Sequence, residues 1–416
     1  MASNGHDDFA QTEIFRPEGA PVQTDPPRQA SEVETLNIRF TGTGSEYFRI
    51  WIVNLLLILV TLTLYLPFAR ARRMAYFQNN TFVGQDPLGF HADPWKMFRG
   101  YLVVAAFGLA YWAVTNFLPA FGWLALLVFM ALWPMLWRAS LQFRLRNTSW
   151  RGVRLAFLGD IKGAYLAMLP YFLPALLFVM LLPQEQADMP VDKSQLQWVL
   201  TLVGVVVVGF VLLMPWLWKR LKAYQHGGYA YTQERTDFTA TTGQFYKLYF
   251  KIFGVGLLVV AGIVTLIAAG AVLFAGMPLS AFSQGVTANR SATTMFAIFM
   301  VVMALYILVP LIVGSYVGSR MQNLLWSNTQ SQRLRLHSAL RMGPLLRVSL
   351  VNWLLIAITL GLYWPFAKVR IARLKLEAMS VEIEGNVDEW VAQAGPDTQG
   401  ALGDAAGDFF GIDLGL

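Results

Sequence analysis

Seven stretches of this chain carry no Asp, Glu, Lys, Arg or His: residues 50–69, 101–137, 163–183, 194–218, 252–289, 291–319 and 348–367. A bilayer core takes roughly 20 apolar residues per helix, and inside it only helices and closed barrels satisfy their own backbone. Runs of this length and number therefore specify a polytopic membrane protein. Composition agrees, because 56% of the 416 residues are hydrophobic and only 14% charged, against about 25% charged in ordinary soluble chains.

Length then sorts the runs. Residues 50–69 and 348–367 hold one segment each, whereas 101–137 is too long for one helix and carries Asn116 and Pro119 at its middle, in "TNFLPAFG". That composition suits a turn at the far membrane face. Two more helical hairpins are expected, one turning through "PQEQADMPVDKS" and one through "GMPLSAFSQGVTANRS". Six firm spanning helices result, plus two terminal segments of open depth. No cleavable signal is expected ahead of them, since residues 1–35 are polar and acidic with no apolar core. The absence of cysteine excludes disulfides and thiol chemistry.

The two terminal segments share a phrase, "TLTLYLPFARARR" from residue 61 and "TLGLYWPFAKVR" from residue 359. An offset of 298 residues pairs 49–72 with 347–370 and gives 14 identities in 24 positions. Arg49, Asn54, Thr61, Tyr65, Pro67 and Arg72 fall on Arg347, Asn352, Thr359, Tyr363, Pro365 and Arg370. Apolar bias matches leucines by chance, but not this polar set in register, so the sequence reads as an internal repeat. Weaker versions start at Pro134, Pro215 and Pro310, where a proline precedes a basic helix and then a small-polar turn such as those at Asn80, Asn147, Gly228 and Asn328.

Short alternating stretches follow these turns, among them "GVRLAFLG", "RLRLHSALRMG" and "TDFTATTGQF", with "NIRFTGTG" before the first span. They are expected to be short β-strands or hairpins in the linkers. The expected fold class is thus an all-α polytopic membrane protein with internal repeats and small cytoplasmic hairpins. Its domains are an acidic tail at 1–35, a membrane domain at 36–376 and a mostly disordered acidic tail at 377–416. Within the membrane domain, terminal units at about 36–96 and 334–376 frame hairpins at about 97–140, 161–221 and 248–322.

Charge assigns the sides. Residues 36–376 carry 30 basic and 9 acidic groups, nearly all the basic ones in the linkers, and the positive-inside rule makes those linkers cytoplasmic. A straight terminal helix then puts both tails outside, whereas a re-entrant hairpin that dips in near Asn54 and turns at "TLTL" keeps them inside. Cytoplasmic termini are the favoured reading.

"FTGTGSEYFRIWIVNLLLILVTLTLYLPFARARR" together with "LLWSNT" resembles the YjgN-like family of uncharacterised bacterial inner-membrane proteins. The resemblance covers roughly residues 36 to 380; Thr63 stands where the family has glycine and Phe68 where it has tryptophan, while Gly361 keeps the pattern. It implies a multi-pass protein of the bacterial inner membrane and no particular reaction.

Chemistry-bearing residues are sparse. His91, His226 and His337 lie in basic linkers; His91 and His337 stand at equivalent places, but no metal-ligand spacing supports a paired role in metal binding or pH sensing, and the plain reading is a polar residue on a strand at the membrane surface. Neither a phosphate loop nor a catalytic constellation is present, so no cofactor and no enzyme activity is expected. Asn147 in "NTS" matches a glycosylation acceptor by pattern only. Asn54 and Asn352 are polar groups at matching depth in lipid-facing helices, where an amide needs a partner. With Tyr65, Tyr363, Pro67 and Pro365 they are candidate cavity or helix-break residues, bonding each other across a pseudo-twofold or capping a break at a transport site. Arg70, Arg72, Arg73, Lys368 and Arg370 are expected to face anionic lipid headgroups.

Nucleic acid is not an expected partner, because arginine interleaved with tryptophan is the ordinary dress of a membrane interface. The apolar tip "DFFGIDLGL" on the acidic C-terminal tail is a candidate docking segment for a protein partner. The leading function is transport-like or lipid-interacting; the alternative is a non-catalytic scaffold that recruits partners through its hairpins and tails.

Overall fold

A computed structural model of the chain describes residues 33–118, 121–181, 193–275 and 292–392. Most of the three expected far-side turns, the body of both acidic tails and the "DFFGIDLGL" tip lie outside the described residues.

Helices follow the apolar runs. Six are long and apolar enough to cross a membrane: Pro94–Phe117, Gly122–Arg146, Ile161–Phe178, Leu196–His226, Thr242–Leu266 and Val302–Trp326. We label the elements that carry them α3 (Pro94–Phe117), α4 (Gly122–Arg146), α5 and α6 (Ile161–Met168 and Leu173–Leu181, joined by a 3₁₀ turn), α7 (Lys193–His226), α8 (Thr242–Ala275) and α9 (Ala292–Trp326). Pro134, Pro215 and Pro310 sit inside α4, α7 and α9, which continue through them. The terminal units are shorter: α1 (Gly44–Val60) and α2 (Leu66–Asn79) at one end, α10 (Met342–Ile358) and α11 (Trp364–Leu376) at the other. At 1.5 Å per residue α1 is about 26 Å long, short of a full crossing.

Four of the five helices that leave a linker are started by a side-chain cap, Thr241 serving α8, while α10 begins at Arg341 without one. Thr43 and Glu46 form a capping box on α1, Asp93 accepts from Trp95 N–H at α3 and Asp160 from Gly163 N–H at α5. Three returning helices end on an Asn-Thr pair. Asn80, Asn147 and Asn328 each donate Nδ2 to the carbonyl four residues back at 2.8 Å. Thr81, Thr148 and Thr329 each donate Oγ1 to the next carbonyl at 2.7 to 2.8 Å. Such side-chain bonds satisfy the orphan carbonyls of a helix end and release the chain into a strand.

The strands are β1 (Val33–Phe40), β2 (Thr81–Val83), β3 (Asp86–Phe90), β4 (Thr148–Trp150), β5 (Val153–Phe157), β6 (Tyr229–Tyr231), β7 (Glu234–Arg235), β8 (Asp237–Phe238), β9 (Thr329–Gln330), β10 (Leu334–Ser338) and β11 (Met379–Glu384). All eleven belong to one antiparallel sheet in the order β7-β6-β5-β4-β3-β2-β1-β11-β10-β9-β8. Its two outer members, β7 and β8, are separated in sequence by Thr236 alone. The sheet therefore closes on itself as a meander in which each strand pairs with its neighbour in sequence except β7 and β8, which the chain itself joins through Thr236, and β11 completes the ring against β1.

This overturns the expectation of an all-α bundle with separate short hairpins. Strands of two to eight residues cannot bury a face alone, and their partners here come from linkers far apart in the chain, so local alternation did not disclose the ring. β11 also lies in the stretch read as acidic tail, where Met379, Val381 and Ile383 point inward between Ser380, Glu382 and Glu384.

Connections around the ring alternate. The links β1–β2, β3–β4, β5–β6, β8–β9 and β10–β11 each run through a helical unit, while β2–β3, β4–β5, β6–β7 and β9–β10 are tight turns. All five helical units thus leave from one rim, and the tight turns share the other with the start of β1 and the end of β11. The α1–α2 and α10–α11 units are helical hairpins that return to the rim they left. In the β4–β5 turn Arg151 (φ 47°) and Gly152 (φ 80°) supply the two left-handed positions of a type I′ hairpin.

Candidate functional site

Most inward residues of the ring are apolar, with Thr81, Thr148, Thr236 and Glu234 among the polar groups it adds to the lining. Leu36, Val381 and Leu336 lie in one row across β1, β11 and β10, and they join a buried cluster with Trp150, Tyr231 and Ile383. Rings of eight strands are just wide enough to be filled by side chains or to hold one small ligand; this one is slightly larger. Its interior holds a cavity of about 450 Å³, within the roughly 300–1,000 Å³ usual for small-molecule sites.

The two mouths differ. At the helical rim the cavity is lined by the last turns of all five returning helices, through Gln78 of α2, Arg144 of α4, Gln225 of α7, Trp326 of α9 and Leu376 of α11. Polar groups gather there: Thr148 Oγ1 lies 3.1 Å from the Gln78 side-chain amide, and Lys222 Nζ donates to Gln225 Oε1 at 3.0 Å. At the far rim a short helix, α12 (Val387–Ala392), lays Val387 and Trp390 into the cluster. The Trp390 ring meets Tyr231 edge-on at 5.1 Å. Arg151 bonds Asp388 of α12 and, through its Nε, Asp86 at the start of β3.

Burial pushes the phenols of Tyr229 and Tyr231 up to about 12, so both stay neutral. The Tyr231 hydroxyl donates to the Trp150 carbonyl at 3.1 Å. Carbon walls, a polar collar at one end and an aromatic stopper at the other suit an elongated amphiphile. They do not assemble a nucleophile with a base.

A family model described as "Bacterial protein of unknown function (DUF898)" matches residues 35–409. The chain belongs to this YjgN-like family. Among curated relatives, the inner membrane protein YjgN of Salmonella typhimurium (strain LT2) is 23% identical over 359 residues, covering 84% of this chain and 88% of the relative. YjgN of Escherichia coli O157:H7 is 27% identical over 205 residues, 45% of this chain and 50% of the relative. No solved structure matches. With six spans and these relatives, this YjgN-like chain is a multi-pass protein of the bacterial inner membrane.

The residues singled out from sequence lie elsewhere, in the terminal hairpins. Asn54 and Asn352 are buried, but each donates Nδ2 within its own unit, to Ala69 O at 3.5 Å and Ala367 O at 3.4 Å. They do not bond each other, and both Oδ1 atoms are buried without a hydrogen-bond partner. Tyr65 and Tyr363 precede α2 and α11, with Pro67 and Pro365 in the first turns. Each tyrosine stacks on a phenylalanine, Phe68 or Phe366, and lies under an arginine, Arg72 or Arg370, at 5.6 and 5.5 Å.

Lys368 rests over Trp364, and burial, with Arg73 nearby, lowers its pKa. Arg70 and Arg73 are half-buried on α2. None of these residues lines the barrel cavity. His91 Nε2 bonds Ser149 Oγ at 2.7 Å and His337 Nε2 meets Glu382 at 3.1 Å. Among the described residues no group of three or more His, Cys, Asp or Glu side chains is placed to hold a metal.

Sequence reasoning missed the barrel residues because Gln78, Gln225, Trp326 and Trp390 share no motif. The one available signal was positional: four of the five returning helices end on the same side of a small-polar turn.

Proposed function

We propose that this protein is a lipid-interacting inner-membrane protein whose barrel receives the apolar part of an amphiphile from the adjacent leaflet. The observation that carries the reading is the cavity's lining, carbon-walled and framed by the end of every returning helix. Water gains little from such walls, whereas an acyl chain finds there an environment as apolar as the leaflet it leaves, about 0.8 kcal/mol per CH₂ better than water. Excess basic charge in the linkers supports a cytoplasmic barrel, and on this reading the described ends of the chain, at the far rim, go with it. The matching contacts of the two terminal hairpins support their reading as copies of one module.

The test is lipid extraction from the purified protein, followed by mass spectrometry, for the wild type and for Val381→Trp. Val381 is buried, lies in the inward row with Leu36 and Leu336 and lines the cavity, so the indole occupies the space proposed for the chain. A co-purifying amphiphile lost in the variant is the expected result. An equal lipid complement in both proteins removes the proposal. Reporter fusions in the tight turns check the orientation, with every one expected in the cytoplasm.

A further inference from the structure

A second cavity, about 380 Å³, opens between α8 and α9, with Lys247, Lys251 and Arg320 around it and Leu248 as its floor. The three cations are exposed. Neither α8 nor α9 contains an Asp or Glu, and among the described residues none of the three is ion-paired with a carboxylate. Lys247 and Lys251 stand four residues apart on one helix, a like-charge spacing that destabilises a helix on its own. Arg320 faces them from α9 and lies over the Tyr316 ring at 5.7 Å.

Depth identifies the counter-charge. Lys247 and Lys251 fall about 8 and 14 Å into α8, counted from the barrel rim, and Arg320 about 9 Å from the end of α9. Lys251 is the last charge on α8 before the uncharged run 252–289, and Arg320 the first on α9 after 291–319. The cluster therefore sits where two apolar helices emerge from the hydrocarbon, at headgroup level. A basic pocket between helices at that level is suited to an anionic headgroup. We infer that this groove is a specific site for an anionic phospholipid, its phosphate held by Lys247, Lys251 and Arg320 and its chains lying along the uncharged faces of α8 and α9.

The test titrates the full-length protein in detergent with dioleoyl phosphatidylglycerol, dioleoyl phosphatidylcholine or inorganic phosphate, and reads retained ligand by native mass spectrometry. Phosphatidylglycerol should be retained at least about tenfold better than phosphatidylcholine. Each of Lys247→Gln, Lys251→Gln and Arg320→Gln should weaken it roughly fivefold, the value of one headgroup-level charge. Arg335→Gln, on the outer face of β10, should leave it unchanged. Equal retention of the two lipids, wild-type retention by the triple variant, or inorganic phosphate competing as well as the lipid each overturns the inference. All three side chains are exposed, so matching melting temperatures are expected and confirm that the variants fold.

Discussion

Arg151 in the β4–β5 turn donates a hydrogen bond to Asp388 in α12 at 2.6 Å, so the only described contact between charged side chains of a barrel turn and the C-terminal helix is one ion pair across the far rim. Asp388 is 87% exposed, and exposed pairs contribute about 0–1 kcal/mol. Trp390 is buried against Tyr231, and removing such a ring costs about 3–5 kcal/mol. We expect Asp388→Asn to change stability by less than about 1 kcal/mol, and Trp390→Ala to speed amide exchange sharply in α12 and β11. Similar exchange in the two variants would show that the ion pair, not the ring, holds the helix.

The two buried amides invite a paired test. Asn54 and Asn352 each make one long bond and leave one acceptor unsatisfied, so replacing either by Leu removes as much strain as stabilisation. Asn54→Leu and Asn352→Leu should shift stability by no more than about 1–2 kcal/mol. Aspartate at the same place buries a carboxylate facing a carbonyl and should cost several kcal/mol. Thermal unfolding in detergent separates the two; equal losses would mean that Oδ1 has a partner, such as an ordered water.

The helical turns of the terminal hairpins differ at one position. Leu62 and Leu360 share φ near +48°, but the next residue is Thr63 (φ 74°) in one and Gly361 (φ 94°) in the other. A β-branched residue is strained there, and Thr63 gains an offset from its hydroxyl contact with Tyr101 at 3.2 Å. Gly361→Thr should cost roughly 1–3 kcal/mol. Thr63→Gly, which trades relieved strain against that contact and the added freedom of glycine, should stay within about 1 kcal/mol. Melting curves of the reciprocal pair give the answer, and equal effects would contradict the asymmetry.

Thr236 is the joint of the ring. Its N–H donates to Tyr229 O at 2.8 Å and its hydroxyl to His226 O. Thr236→Val loses the buried hydroxyl bond at about 1–3 kcal/mol; Thr236→Pro removes the amide bond as well and should open β6 and β9 to exchange together. Protection retained in both strands of the proline variant would mean that closure does not depend on this residue.

The membrane helices were legible in the sequence. Uncharged runs marked the six long helices, because lipid admits no other pattern, and alternation in "GVRLAF" and "RLRLHS" marked β5 and β10. The phrase around Asn54 and Asn352 identified two units whose hydrogen bonds correspond, down to Thr61 and Thr359 accepting from the N–H of Tyr65 and Tyr363 at 3.0 Å. Closure was not legible. β7, β8 and β9 are two residues long, too short to announce a partner, and β1 finds β11 across more than three hundred residues. The cavity was hidden for the same reason, since its lining is assembled from single residues at the ends of helices.

A ring that seals its first strand against its last has a temporal meaning. During synthesis β1 waits with one side unpaired until Met379–Glu384 leaves the ribosome, by which time every described membrane helix has been made. Completion of the barrel thus reports that all preceding spans have been threaded, and a chain that stalls midway presents an open β edge to the quality-control machinery.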